Sequence, residues 1–205
     1  TPATMPLIEA LYEQVLSAGA HPMVRINPEE LTEILLKRGT DEQLQYCNPM
    51  SMAEVEQLDC AIGIWGEQST RALTNIDPRR IGLQQAARKP IMDRFMLRAA
   101  EGKLKWVGTQ YPTMACAQDA EMSLSEYEDF VFAAGRLNEP DPVAAWMQVS
   151  QRQQRLVDFL NGKHDYHVVA ANGTDVRMSV ADRTWINCDG HENFPDGEVF
   201  TGPVI

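Results

Sequence analysis

The sequence predicts an α/β fold: a largely parallel sheet flanked by helices, followed by an antiparallel hairpin segment belonging to a second, incomplete domain. Three observations carry this reading. Through residues 1–162, stretches of helical apolar periodicity alternate with short apolar runs, which is the pattern of βαβ units. After Gly162 the period changes to two, with Tyr166, Val168 and Ala170 alternating against His167, Val169 and Ala171. Asn172-Gly173 then supplies a hairpin turn, and Val176, Met178 and Val180 alternate on the return. The expected domains are residues 1–162, an amino-terminal α/β domain, and residues 163–205, the beginning of a second. The latter has only about 40 residues, too few to bury a core alone. It must pack on the first domain or continue past Ile205.

Taken in order, Met5 to Ala18 reads as a helix, with Leu7, Ile8, Leu11, Tyr12, Val15 and Leu16 at helical spacing and Gly19 behind it. Pro22 to Ile26 reads as a short strand. Pro28-Glu29-Glu30 opens a helix to about Lys37, with Pro at its start and acids in its first turn. Arg38 to Gln45 has weak periodicity compatible with helix. Ser51-Met52-Ala53-Glu54 has capping-box spacing and starts a helix ending near Leu58. Cys60 to Gly66 is a near-continuous apolar run, expected of a strand buried on both faces. Two helices are expected next, Pro78 to Ala87 after Asp77 and Pro90 to Ala100, and then a strand at Leu104 to Thr109. Helix continues at Thr113 to Ala117 and, after a second capping box at Ser123 to Glu126, on to Ala134, with Phe130, Val131 and Ala134 toward the core. Asn138 to Pro142 is a breaker. A long helix runs from Pro142 to Leu160 behind the Asp141 cap, with Gln151 to Arg155 as its solvated face. Asp182-Arg183 turns into Trp185-Ile186.

Composition narrows the function classes. A chain of 205 residues with 44% hydrophobic and 23% charged residues has an ordinary soluble balance and enough apolar mass for a sizeable core. A net charge of −11 argues against a nucleic-acid partner, since nothing would neutralise phosphates. The apolar runs fall far short of the roughly 20 residues a membrane span needs. Cys47, Cys60, Cys116 and Cys188 are widely and irregularly spaced, without CxxC, which predicts reduced thiols and a cytoplasmic setting. Thr1-Pro2-Ala3-Thr4 shows neither a basic nor an apolar leader region, and a helix follows at once. The numbering is expected to begin inside a longer protein.

Several chemistries find little support. No strand is followed by Gly-x-Gly-x-x-Gly or a P-loop, and Gly63-Ile64-Trp65-Gly66 is too short to cradle a phosphate. His164 and His167 straddle a helix end and a strand start, so alternation separates their rings. Cys116 sits among apolar neighbours, which favours inert packing. The acids between Asp119 and Asp129 read as a solvated helix face. The loops Gly66 to Thr74 and Gln110 to Thr113 follow strand carboxyl ends, where open α/β sheets bind ligands, though plain connectors fit as well.

The strongest signal lies at Asn193-Phe194-Pro195-Asp196-Gly197-Glu198-Val199-Phe200-Thr201-Gly202-Pro203. Pro195 and Gly197 make a tight turn, a short apolar run follows, and Pro203 ends it. Glu198 stands where turn meets strand, on stiff backbone. A metal ligand or general base needs such a held carboxylate; a solvent-exposed turn residue is the alternative.

Asn-x-Pro-x-Gly-Glu-Val-Phe-Thr-x-Pro resembles the signature of the metallo-aminopeptidases typified by aminopeptidase T, aminopeptidase S and PepS. The likeness extends through Gly173-Thr174-Asp175 and Asp189-Gly190, and upstream through Trp106 to Thr113 and Ala115-Cys116-Ala117, covering most of the chain. The resemblance implies that Glu198 ligates one of two neighbouring divalent metals, zinc, cobalt or similar. The other ligands it implies are a second glutamate, two histidines and an aspartate, all past Ile205. It further implies peptide substrates, a homodimer and a catalytic domain starting near residue 163. Tyr111, Thr113 and His191 are substrate-cleft candidates. On this reading residues 1–205 alone are inactive. The rival readings are a non-catalytic α/β binding or assembly module, and a small-molecule domain using the loops after Trp65 and Thr109.

Overall fold

Apolar residues at helical spacing form α1 (Met5–Ser17), which Gly19 ends with φ +76° in the computed structural model of the chain, where residues 2–204 are described. The residues from 22 to 26, expected to form a strand, have no ladder partner among the described residues. α2 (Glu29–Arg38) carries Glu29 and Glu30 in its first turn and Lys37 and Arg38 in its last, each complementing the helix dipole. α3 (Asp41–Gln45) is closed by a reciprocal box. The Gln43 amide donates to Thr40 Oγ1 at 3.2 Å, and the Thr40 amide donates to Gln43 Oε1 at 2.8 Å. α4 (Pro49–Gln57) begins earlier than the expected Ser51 box. Asn48 Oδ1 accepts from Met50 N at 3.0 Å, and Pro49 fits the first helical position because that turn needs no N–H.

β1 (Cys60–Trp65) leads through α5 (Pro78–Ala100) to β2 (Lys105–Gln110). The two strands pair in parallel, from Cys60 opposite Lys105 to Trp65 opposite Gln110. This is the predicted βαβ unit. Two expectations are corrected. β1 is not buried on both faces: Ile62 is 45% and Trp65 51% exposed. The helices expected either side of Pro90 are one continuous helix, α5, packed against α3 and α4. Proline removes one N–H from the ladder and costs about 3 kcal/mol in a helix interior, a loss that packing along 23 residues outweighs. Gly108 in β2 is required by Trp65: a Cβ there would lie 2.4 Å from the indole Cη2, so the ring rests on bare backbone.

α6 (Met114–Asp119) starts at Thr113, whose buried hydroxyl oxygen accepts from Cys116 N at 3.4 Å. α7 (Leu124–Ala134) starts at the expected Ser123–Glu126 box. Ser123 Oγ, at 2.7 Å, and the Ser123 amide, at 2.9 Å, both donate to Glu126 Oε2, and these two bonds hold the Glu126 carboxyl below its usual range. Phe130 and Ala134 are exposed, against the expectation that they face a core.

The chain divides into two compact units that part between Asp129 and Phe130, inside α7. The core of the first is Leu36, Leu44 and Ile76, with Leu35, Ile81 and Leu83 packed on it. Two arginines tie its loops. Arg80 donates to the carbonyls of Leu36, at 2.5 Å, and Gly39, oxygens that the end of α2 leaves without helical partners. Arg98, 8% exposed, donates to Val55 O, to Leu58 O at 2.8 Å and to Lys103 O at 3.3 Å.

In the second unit α8 (Pro142–Leu160) is capped by Asp141, whose Oδ1 accepts from Ala144 N at 2.9 Å. β3 (Asp165–Val169) and β4 (Asp175–Ser179) form the predicted hairpin, antiparallel from Asp165 opposite Ser179 to Val169 opposite Asp175. Gly173 turns it with φ +92°, and Asn172 Oδ1 accepts from Thr174 N at 3.1 Å. β5 (Ile186–Cys188), β6 (Asn193–Phe194) and β7 (Glu198–Phe200) follow. Among the described residues no helix is long and apolar enough to cross a membrane.

Candidate metal centre

β5 and β7 are antiparallel, with Ile186 opposite Phe200, Asn187 opposite Val199 and Cys188 opposite Glu198. Directly opposed residues of such a pair put their side chains on one face. The pairing therefore brings the Cys188 thiol beside the Glu198 carboxylate. Between the strands the chain doubles back, and Gly197, with φ +129°, supplies the backbone conformation that returns Asp196 to the same place. Cys188, Asp196 and Glu198 each present a ligand atom there, all within 4.8 Å of one another. They are the group of three potential metal ligands found among the described residues.

This return is held from α8. Ser150, Gln153 and Gln154 share one helix face by their i, i+3, i+4 spacing. Gln153 Nε2 donates to Cys188 O at 3.2 Å and to Glu198 O at 2.6 Å, so one amide pins both opposed residues. Asn187 Nδ2 donates to Ser150 O at 3.1 Å and to Gln154 Oε1 at 3.3 Å. Ser150 Oγ donates to Asp189 Oδ2 at 2.5 Å, and Asp189 Oδ1 pairs with His191 Nδ1. The indole of Trp146 packs against Phe194 at 5.6 Å between centroids, and its Nε1 donates to Gly135 O at 2.8 Å. The residues from 151 to 155 were expected to form a solvated face; Gln153 is instead only 9% exposed. Nothing in its amphipathic neighbourhood distinguishes it, because a buried Gln is specified by carbonyls distant in sequence.

The electrostatics favour a cation. Burial, then the carboxylates of Asp196, Glu198, Glu192 and Asp189, push the Cys188 thiol up. Burial also raises Asp189, but the hydrogen bonds from Ser150 and His191 outweigh it and hold that carboxyl below its usual range. Asp196 Oδ1 accepts from Gly197 N at 2.9 Å, while its buried Oδ2 has no hydrogen-bond partner among the described residues. A buried carboxylate oxygen left bare costs free energy unless something positive meets it. Paired carboxylates beside a thiol are a donor set that suits zinc or a similar divalent ion. The site's residues fit a metal.

The other residues singled out from the sequence lie elsewhere. His191 sits near this return but pairs with Asp189 and is outside the three-ligand group. His167 Nε2 meets Asp175 Oδ1 at 2.7 Å across the hairpin. Tyr111 and Thr113 belong to the first unit, where Tyr111 N donates to Trp65 O at 2.6 Å and Thr113 caps α6. Cys116 is buried, and its thiol accepts from Gln110 Nε2 at 3.1 Å.

Across residues 1–205 the sequence matches the thermophilic metalloprotease (M29) family. The chain belongs to that family. Among curated M29-like relatives, Aminopeptidase 2 of Geobacillus stearothermophilus is 24% identical over 218 residues, covering 97% of this chain and 53% of the relative. Aminopeptidase AmpS of Bacillus subtilis (strain 168) is 30% identical over 148 residues, covering 64% of this chain and 36% of the relative. The fold resembles wild-type AmpT from Thermus thermophilus, with a TM-score of 0.73 at 19% identity over 97% of this chain and 54% of that one. The M29 chain thus spans about half the length, or less, of the relatives it matches. The family expected from the Asn193–Pro203 signature is the family found, and the α/β fold expected is that of AmpT.

Substituting Gln153 by leucine isolates the support of this return. Two carbonyls lose their donor, but the amide's own Oε1, buried without a partner among the described residues, goes with it. The net loss of unfolding free energy is expected to be about 1–3 kcal/mol, read by urea denaturation. An unchanged midpoint would show that the bridge contributes nothing.

Proposed function

We propose that residues 1–205 are the amino-terminal part of a metal-dependent aminopeptidase that removes N-terminal residues from peptides. What supports this is the convergence of Glu198, Asp196 and Cys188 at the fold-back of the signature stretch, in a chain of a metalloprotease family. Glu198 is assigned as a metal ligand. Asp196 is the second carboxylate poised for the cation, and Cys188 presents its thiol beside the two. The remaining ligands are assigned to polypeptide that follows Ile205 in the full-length protein, so that residues 163–205 open the catalytic domain. When bound, two divalent ions such as zinc or cobalt supply the Lewis acidity that polarises a peptide carbonyl and lowers the pKa of water.

The chain's own residues set the geometry. Gln153 fixes the backbone at both Cys188 and Glu198, which limits the wandering of the Glu198 carboxylate. Gly197 lets Asp196 reach the same face. Asp189, held ionised by Ser150 and His191, adds negative potential beside the cation. His191 is proposed to line the substrate cleft, and the full-length protein is proposed to be a cytoplasmic homodimer.

The test is hydrolysis of an aminoacyl-anilide with zinc or cobalt present. The full-length protein should turn the substrate over, and residues 1–205 alone should not, since their carboxylates do not complete a two-metal site. Turnover by the 205-residue chain, abolished by Glu198→Ala, would contradict the assignment of the other ligands to later polypeptide. Inactivity of the full-length protein on every anilide would favour a non-catalytic α/β module.

A further inference from the structure

Cys188 is not positioned as core packing. Its neighbour in β5, Asn187, directs its side chain to α8, where Nδ2 donates to Ser150 O at 3.1 Å and to Gln154 Oε1 at 3.3 Å. Successive side chains of a strand point to opposite faces, so Cys188 stands on the face turned away from α8. Glu198 lies opposite it in the register. Ile186 and Phe200, the next opposed pair on that face, are 48% and 51% exposed, so a ligand can reach it. The thiol is free, and its backbone is held. Cys188 O accepts from Gln153 Nε2 at 3.2 Å and from Gly197 N at 3.1 Å, and the second bond closes the return that carries Asp196. From Ile186 to Ile205 the sequence has Asp189, Glu192, Asp196 and Glu198 but no lysine or arginine. The strand pair therefore brings no such cation of its own to these carboxylates.

The sulfur and the two carboxylates offer ligand atoms within 4.8 Å of one another. Zinc bonds sulfur at about 2.3 Å and carboxylate oxygen at about 2.0–2.2 Å, which places the ligand atoms of a tetrahedral ion about 3.5 Å apart. Glu198 is the exposed member of the three, so rotation of its side chain can close the difference. We infer that the Cys188 sulfur is itself a ligand, joining Glu198 and Asp196 on one ion, and that it biases this site toward a thiophilic divalent metal such as zinc or cobalt over manganese or magnesium. The inference rests on the assignment of Glu198 as a ligand and adds to it. Carboxylates and water alone would suit magnesium or manganese as well, whereas a sulfur donor favours the softer ion. The sulfur binds as thiolate, and the proton it loses passes to the solvent.

Cobalt(II) absorption of the full-length protein tests this, beside Cys188→Ser, Cys188→Ala and Glu198→Gln. At saturating cobalt the unaltered protein should show a sulfur-to-cobalt charge-transfer band in the near ultraviolet. Both Cys188 variants should lose that band while keeping their visible cobalt bands and circular dichroism. Zinc affinity should fall by about 100-fold in Cys188→Ala, and manganese affinity by less than about tenfold. A band missing from the unaltered protein, or surviving in both Cys188 variants, would overturn the inference, and so would equal losses of zinc and manganese affinity. In each of those cases cobalt lost from Glu198→Gln would still uphold Glu198 as a ligand. Equal cobalt uptake by Glu198→Gln and the unaltered protein would overturn that assignment and this inference with it. Should neither Cys188 variant fold, the unaltered protein decides: zinc should slow alkylation of Cys188, located by peptide mapping, by about tenfold or more, because a metal-bound sulfur is a poor nucleophile. Alkylation at the same rate with and without zinc would overturn the inference.

Discussion

Glu198→Ala in the full-length protein should lower kcat/KM for an aminoacyl-anilide by about 10³-fold or more, because a missing metal ligand removes the Lewis acid and not merely a contact. Glu198 is exposed and accepts the Gln153 bond through its backbone carbonyl, not its side chain. The substitution should therefore leave the unfolding midpoint almost unchanged. This split separates ligation from folding. A variant that loses activity only in proportion to lost folded protein would indicate a structural carboxylate.

The second large effect is on stability. Arg98→Met should lower the unfolding free energy of the chain by about 3–4 kcal/mol, measured by urea denaturation. The guanidinium is buried and serves three carbonyls, from Val55, Leu58 and Lys103. Those oxygens belong to the end of α4, the approach to β1 and the turn after α5. Methionine keeps most of the volume of the stem and leaves all three without their charged donor. A loss under about 1 kcal/mol would mean that water replaces the guanidinium at each oxygen.

Much of this architecture could be read before any coordinates, and the parts that could not share a physical cause. The α8 helix, the Ser123–Glu126 box, the Asn172-Gly173 turn and the β1–α5–β2 unit follow from local signals: caps, glycine and periodicity. Pro90 misled because helix propensity is local while the packing of α5 on α3 and α4 is not. The stretch from 22 to 26 has strand composition but no ladder partner among the described residues, and a strand is defined by its neighbour as much as by its residues. At the candidate site, Glu198 stood out through the rigid Pro195-Asp196-Gly197 bend. Asp196 could have been added from its i, i+2 relation to Glu198 across a glycine. Cys188 and Gln153 could not, since the β5–β7 register and the α8 face join them to Glu198 over 10 and 45 positions of sequence.

The central claim is that Glu198 binds a metal. It is tested most directly by the metal content of the full-length protein, equilibrated with zinc, dialysed and measured by elemental analysis beside Glu198→Gln. Two ions per wild-type chain, with at least one lost in the variant while its circular dichroism is unchanged, is the predicted result. Equal zinc content and equal affinity in the two proteins would contradict it.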